Sequence, residues 1–171
     1  MSTIMDLLEK QLNEKKLHFT KKPILIGGMA MEYYGLRKSG ADIDLVVCDE
    51  DYQALALAYP DKRKDIWADL GVVLWPLEIW RSIKLLDYDF YAKDAIDEKI
   101  AYVVSLDRLC LMRVFAMDTP KYMDDLRIIK DYYYNAVHHP DFLKIQEKYF
   151  ALYERSGGVI LGGKYADEEN L

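Results

Sequence analysis

The 171-residue chain predicts an α+β fold with a C-terminal helical bundle. Short β-branched segments alternate with helical stretches before Ser105, and helical periodicity takes over after it. No linker is long or polar enough to demand two independent domains. The chain divides in sequence into an α/β core over 1–104, C-terminal helices over 105–155, and a Gly-containing tail over 156–171 whose end is expected to be mobile.

Each element has a local signal. Residues 3–18 place Ile4, Leu7, Leu8, Leu12 and Leu17 at helical spacing among charges, which predicts an amphipathic helix. Pro23 then introduces Ile24, Leu25 and Ile26, a short buried strand entering Gly27-Gly28. Residues 29–34 resume helical character and stop at Gly35, a C-cap signal. Residues 42–48 (DIDLVVC) are β-branched and alternating, the strongest strand pattern in the chain. A helix is expected over 51–59, ended by Pro60 and the charged run 61–65. Residues 71–80 read as one strand, with Pro76 implying an edge position or a bulge. Residues 82–96 fit helix or strand, and 101–104 a strand. Ser105 has the character of an N-cap, with Asp107 and Arg108 in the first turn of a helix to about Met117. Helices over 121–137 and 141–154 follow, separated by His138, His139 and Pro140.

Composition limits the functional classes. Apolar residues make up 51% of the chain, enough for a sizeable core, which excludes a wholly disordered chain. Lys and Arg number 23 against 29 Asp and Glu, a formal charge of -6. That balance argues against strong non-specific binding to DNA or anionic membrane, and leaves only the cluster at 62–64 as a local basic patch. Apolar runs such as 24–26 and 71–76 are far too short to span a bilayer, and residues 1–16 lack a signal-peptide core, so a cytoplasmic location is expected. Cys48 and Cys110 have neither metal-ligand nor redox spacing and read as reduced core thiols.

The chemistry is concentrated between Ile24 and Val47. Asp42 and Asp44 sit two apart on a predicted strand, so both face one side while Ile43, Leu45 and Val47 face the core. Carboxylates held so close repel unless a cation intervenes, and hard oxygen ligands suit magnesium or manganese. Read alone, Asp-x-Asp is short and common and better describes the solvent face of an edge strand. Gly27-Gly28 lets backbone approach a ligand closely, and the amides that open the following helix favour phosphate. The pair also fits an ordinary tight turn. It lacks the lysine and hydroxyl of a P-loop and the spacing of a dinucleotide fingerprint.

Together, ILIGGMAMEYYGLRKSGADIDLVV resembles the signature of the DNA polymerase beta-like nucleotidyltransferase superfamily. The closer resemblance is to its small bacterial branch of abortive-infection, toxin-type and antibiotic nucleotidyltransferases. Gly27, Gly28, Ala30, Gly35, Arg37, Asp42 and Asp44 carry the match. Arg37 lies one position further from the acids than usual, and Ser39 stands near the usual threonine. Downstream, AYVVSLDRL at 101–109 and PKYMDDL at 120–126 resemble the tail pattern of the same branch, with Tyr122 in place of an acid and Arg113 near the place of a family lysine. The resemblance covers about residues 24–129.

This resemblance implies a mixed sheet flanked by helices and Mg2+- or Mn2+-dependent transfer of a nucleoside monophosphate from an NTP such as ATP. The acceptor (a small molecule, a protein or an RNA end) is unknown, and pyrophosphate leaves. Three carboxylates usually hold two ions about 4 Å apart. Asp42 and Asp44 are two of them; Glu78, between Leu77 and Ile79, is the first choice for the third, with Asp89 the runner-up and Asp87 next. Paired with Arg81 on a sheet face, Glu78 would instead be structural. Gly27, Gly28, Arg37, Ser39 and Lys121 are the candidate nucleotide-binding residues, although Lys121 also reads as a solvated lysine at a helix start. The alternative is a catalytically silent relative that binds nucleotide or a protein partner, as in a toxin–antitoxin pair; homo-oligomers are also open. His138 and His139 read as helix-end residues, Tyr132, Tyr133 and Tyr134 as core plus interface, and Trp67, Trp75 and Trp80 likewise unless one lines an acceptor cleft. Met29, Met31, Met112, Met117 and Met123 read as core filler.

Overall fold

The computed structural model describes residues 3–66, 68–137 and six isolated helical positions between 144 and 154. The expected helix over 141–154, the His138-His139-Pro140 break, Trp67 and the tail lie wholly or mostly outside the described residues. The chain divides into two compact units, Met1–Arg127 and Ile128–Leu171.

The first unit is a mixed α+β structure. Helix α1 (Ile4–Glu14) opens on Thr3, which forms a capping box with Asp6. It ends earlier than the periodicity predicts, because Lys15 caps it and Lys16 turns to φ 55°. Strand β1 (Ile24–Leu25) leads into α2 (Gly27–Tyr33), which therefore begins at the glycine pair itself. Gly35, at φ 70°, follows the Tyr34 cap as expected. Strand β2 (Ile43–Val46) precedes α3 (Asp49–Ala58), whose first turn holds three acids against the positive helix end. A 3-10 turn (Pro60–Lys62) then enters β3 (Arg63–Ile66).

The single strand expected over 71–80 is instead a hairpin, β4 (Asp69–Leu74) and β5 (Leu77–Trp80), with Trp75-Pro76 at its turn. Pro76 thus sits between strands, and β5 is an interior strand, not the edge that proline implied. The ambiguous stretch resolves into β6 (Ser82–Ile83), β7 (Leu86–Asp87), the one-turn helix α4 (Tyr88–Ala92) and β8 (Ile96–Asp97). Strand β9 (Tyr102–Val103) and α5 (Leu106–Val114, capped by Ser105) follow. Helix α6 (Pro120–Val137) runs from the first unit into the second.

Seven strands form one sheet in the order β3-β4-β5-β2-β1-β9-β8, with β6 and β7 paired separately. The β2–β5 and β1–β9 pairs are parallel and the others antiparallel. Central residues Leu25, Leu45, Ile79 and Val103 are completely buried, as are Leu8 of α1 and Leu109 of α5. Ile43 and Val47 are also buried, matching the alternation read from the sequence. Met29, Met31 and Met112 belong to the core, but Met117 and Met123 are exposed, as is Trp75, so these three are not core residues. In α6, Tyr132 and Tyr134 are exposed. Among the described residues, no helix is long and apolar enough to cross a membrane.

Candidate functional site

The parallel pairing of β2 with β5 sets Asp44 directly opposite Glu78. Asp42 lies just before β2, and all three acids line a cavity of about 1150 Å3 with Gly27 and Gly28. Leu77 and Ile79, on either side of Glu78, are buried, so the alternation of β5 turns this acid to the cavity face. Asp89 and Asp87 do not line the cavity: Asp89 is in the first turn of α4, and Asp87 caps that helix by accepting from the Phe90 N–H at 3.1 Å.

Each acid of the Asp-x-Asp pair has a glycine against it. A Cβ on Gly27 would lie 2.1 Å from Asp44 Oδ2, and Gly27 has φ 67°. A Cβ on Gly40 would lie 2.7 Å from Asp42 Oδ1. Gly28 differs, since its Cβ would meet only ordinary contacts near 3.7–3.8 Å. The two glycines of the pair therefore serve different ends, and substitution separates them. Gly27→Ala is expected to cost more than about 2 kcal/mol, from left-handed backbone and the clash together. Gly28→Ala should keep its stability within about 1 kcal/mol. If the cavity takes a triphosphate at this turn, Gly28→Ala should nevertheless lose most of the thermal shift given by magnesium and triphosphate. An unchanged shift would place the ligand away from Gly28.

Burial pushes the Asp44 carboxyl up to about 6, and the nearby Asp42 and Glu78 charges push in the same direction. A hydrogen bond from the Trp80 side chain and the charge of Arg113 oppose that rise. Glu78 has a counter-ion: Lys64 Nζ reaches its two oxygens at 3.0 and 2.9 Å. Arg81, the partner expected from the sequence, pairs with Asp49 instead. The lysine approaches from β3, two strands away, across Gly71 of β4, which stands opposite both Lys64 and Trp80 in the register. A Cβ on Gly71 would meet the Trp80 ring at 2.6 Å, so its absence makes room for the ring that Lys64 covers at 5.5 Å.

Of the remaining candidates, Lys121 lines the cavity, whereas Arg37 and Ser39 do not. Arg37 holds Asp125 with two hydrogen bonds, Nε to Oδ1 and Nη2 to Oδ2 at 3.0 Å. Ser39 donates from its N–H and hydroxyl to Glu32 at 2.8 and 2.7 Å; the hydrogen bond from Lys38, followed by these two, brings the Glu32 carboxyl down to about 2. Cys48 is buried at the start of α3, where its thiol donates to Asp51 at 3.1 Å, and it is not part of the cavity wall. Lys84 is a cavity residue that nothing in the sequence marked, while Lys64 read only as part of the 62–64 basic cluster and Tyr122 only as a departure within the 120–126 pattern. Arg113, noted in the sequence only as standing near the place of a family lysine, also lines the cavity, with its guanidinium 4.7 Å from the Tyr122 ring centroid.

Carboxylate oxygens suit magnesium or manganese in kind. Among the described residues, however, no three metal-ligating groups gather closely enough to hold one ion as they stand, and Glu78 is engaged by Lys64. Comparison with protein-family models and with curated proteins finds no match.

Proposed function

We propose that the chain is a divalent-metal-dependent nucleotidyltransferase, moving a nucleoside monophosphate from a nucleoside triphosphate to an acceptor and releasing pyrophosphate. The observation that carries this reading is the placement of Asp44 beside Glu78 on parallel strands, with Asp42 in the same cavity as the Gly27-Gly28 turn. A carboxylate whose ionisation is opposed by burial and by the Asp42 and Glu78 charges works against the stability of the fold, so the cluster makes sense as a receiver of positive charge. Magnesium or manganese, held by Asp42 and Asp44 and by Glu78 once released from Lys64, would supply that charge and polarise the α-phosphate.

The chain's own groups furnish the rest. Arg113, Lys84 and Lys121 give the cavity wall the positive charge that a triphosphate requires. Ile66, Leu85 and Phe115 offer an apolar surface for a base or an acceptor. Gly28 leaves room for phosphate oxygens to approach the backbone.

The Lys64–Glu78 ion pair favours a second reading, in which the third acid keeps a fixed lysine partner and the chain binds nucleotide or a protein partner without transfer. Incubation with each labelled triphosphate, magnesium and pools of acceptors, followed by mass analysis, decides between them. An acceptor heavier by one nucleoside monophosphate is expected. Stabilisation by magnesium and triphosphate with no product would favour the silent reading, and neither effect would remove both.

A further inference from the structure

A second hollow, of about 640 Å3, lies along β3 and the β4–β5 turn. Its wall holds Lys15, Lys62, Arg63 and Lys64 against the single acid Asp61, a local cationic excess in a chain of net charge -6. Arg63 pairs with Asp65 on the exposed edge strand, its side chain 46% and that of Asp65 39% exposed, a setting in which such a pair contributes little. Lys15 and Lys62 have no ion-pair partner among the described residues. Beside these cations stands Trp75, 62% exposed. Leaving so large an apolar ring in water is unfavourable unless something covers it.

The hollow and the carboxylate cavity share one residue. Lys64 lines both, reaching across Gly71 to Glu78. Cations that can follow a phosphate backbone, next to an uncovered aromatic face, are the combination that binds single-stranded nucleic acid. A duplex keeps its bases stacked inside and offers no such face to Trp75, and an acidic peptide would leave the ring without a planar partner.

We propose that this hollow binds the single-stranded end of a nucleic-acid acceptor, with phosphates against Lys15 and Lys62 and a base on Trp75, so that the terminal hydroxyl passes Lys64 into the cavity. The proposal rests on the nucleotidyl-transfer reading and names its acceptor class. In the reaction, the terminal hydroxyl oxygen forms a bond to the α-phosphorus of the triphosphate. The bond from that phosphorus to the pyrophosphate oxygen breaks, and the hydroxyl proton passes through a cavity carboxylate to water.

The test is fluorescence anisotropy of the full chain with labelled single-stranded oligoribonucleotide, its deoxy counterpart, a duplex and an acidic peptide, without triphosphate. Binding to a single strand that weakens with salt is expected, with little binding to the duplex or the peptide. The ribo and deoxy arms show which strand is preferred. Trp75→Ala should weaken binding about tenfold, within the range for losing one base stack. The doubly substituted Lys15→Glu, Lys62→Glu chain should weaken it further and flatten its salt dependence; circular dichroism checks that both variants fold. Absence of strand binding, equal binding by both folded variants, or preference for the peptide would overturn the proposal. The thermal shift with magnesium and triphosphate alone reports on the cavity, so failure of the acceptor site is distinguishable from failure of the transfer reading.

Discussion

Asp44→Asn is expected to abolish transfer while raising the thermal stability of the metal-free protein at neutral pH. In the fold, the Asp44 carboxyl is raised from its ordinary 3.8 to about 6 by burial and by the charges of Asp42 and Glu78. Below pH 4 it is protonated in both folded and unfolded chains and costs nothing. As pH rises from 4 to 6 the unfolded chain ionises first, so stability falls across that window, and above 6 the full cost is present. A shift of this size corresponds to about 3 kcal/mol. Asparagine removes the charge but weakens the hydrogen bond from Trp80, worth about 1 kcal/mol, so a net gain of about 1–2 kcal/mol is expected near pH 7.5. That gain should vanish near pH 4. Thermal melts of both proteins across this range provide the check. Addition of magnesium and triphosphate should then stabilise the wild type alone, because only its cavity retains the full set of acids. A variant that melts much earlier than wild type at neutral pH would make Asp44 a structural residue.

What the sequence revealed and what it hid follow from how local each cause is. The Gly27-Gly28 turn and Asp42-x-Asp44 are short-range patterns, and their alternation with buried Ile43, Leu45 and Val47 was readable directly. Glu78 could be preferred over Asp89 because it alternates with Leu77 and Ile79, although the parallel register that sets it opposite Asp44 is a long-range fact. The hairpin at Trp75-Pro76 escaped notice because its turn contains no glycine or asparagine and its flanks are continuous in β-branched and apolar residues. Strand β3 was hidden by its charges; Arg63, Lys64 and Asp65 read only as a charged run that ends the preceding helix, yet charge is what an exposed edge strand carries to avoid pairing with another chain. Arg37 looked free because Asp125 lies 88 residues away. The reach of Lys64 across β4 to Glu78, and the room that Gly71 leaves for the Trp80 ring, are visible only once three strands are in register.

Loss of Asp125 is expected to have the largest effect on stability of any single substitution considered. Asp124 and Asp125 are adjacent and look equivalent in the sequence, but the fold separates them completely. Asp124 pairs with Arg127 on the surface, both side chains more than two-thirds exposed. The Asp125 side chain is 2% exposed and receives Arg37 on one side and Arg113 on the other. Arg113 Nε lies 2.9 Å from Asp125 Oδ2 without a well-aimed hydrogen bond, so charge holds that contact. The Arg113 guanidinium is itself buried, which lowers its pKa, and Arg37 repels it; Asp125 is the foremost of the groups that offset both effects, ahead of Tyr122 and Asp44. Asp125→Ala would leave two guanidinium groups near each other with no anion between them, at a cost of about 3–5 kcal/mol. Asp124→Ala should cost no more than about 0.5 kcal/mol. Asp125→Asn, which keeps the shape but not the charge, should fall between them. The consequence reaches the cavity, because Asp125 anchors Arg113 in its wall and Arg37 beside the loop that faces Gly28. Asp125→Asn should therefore weaken magnesium-triphosphate binding as well as stability, whereas Asp124→Ala should change neither. Chemical denaturation and nucleotide-dependent melting of the three variants provide the measurement, and equal effects from Asp124 and Asp125 would show that the buried arginine pair does not depend on its shared carboxylate.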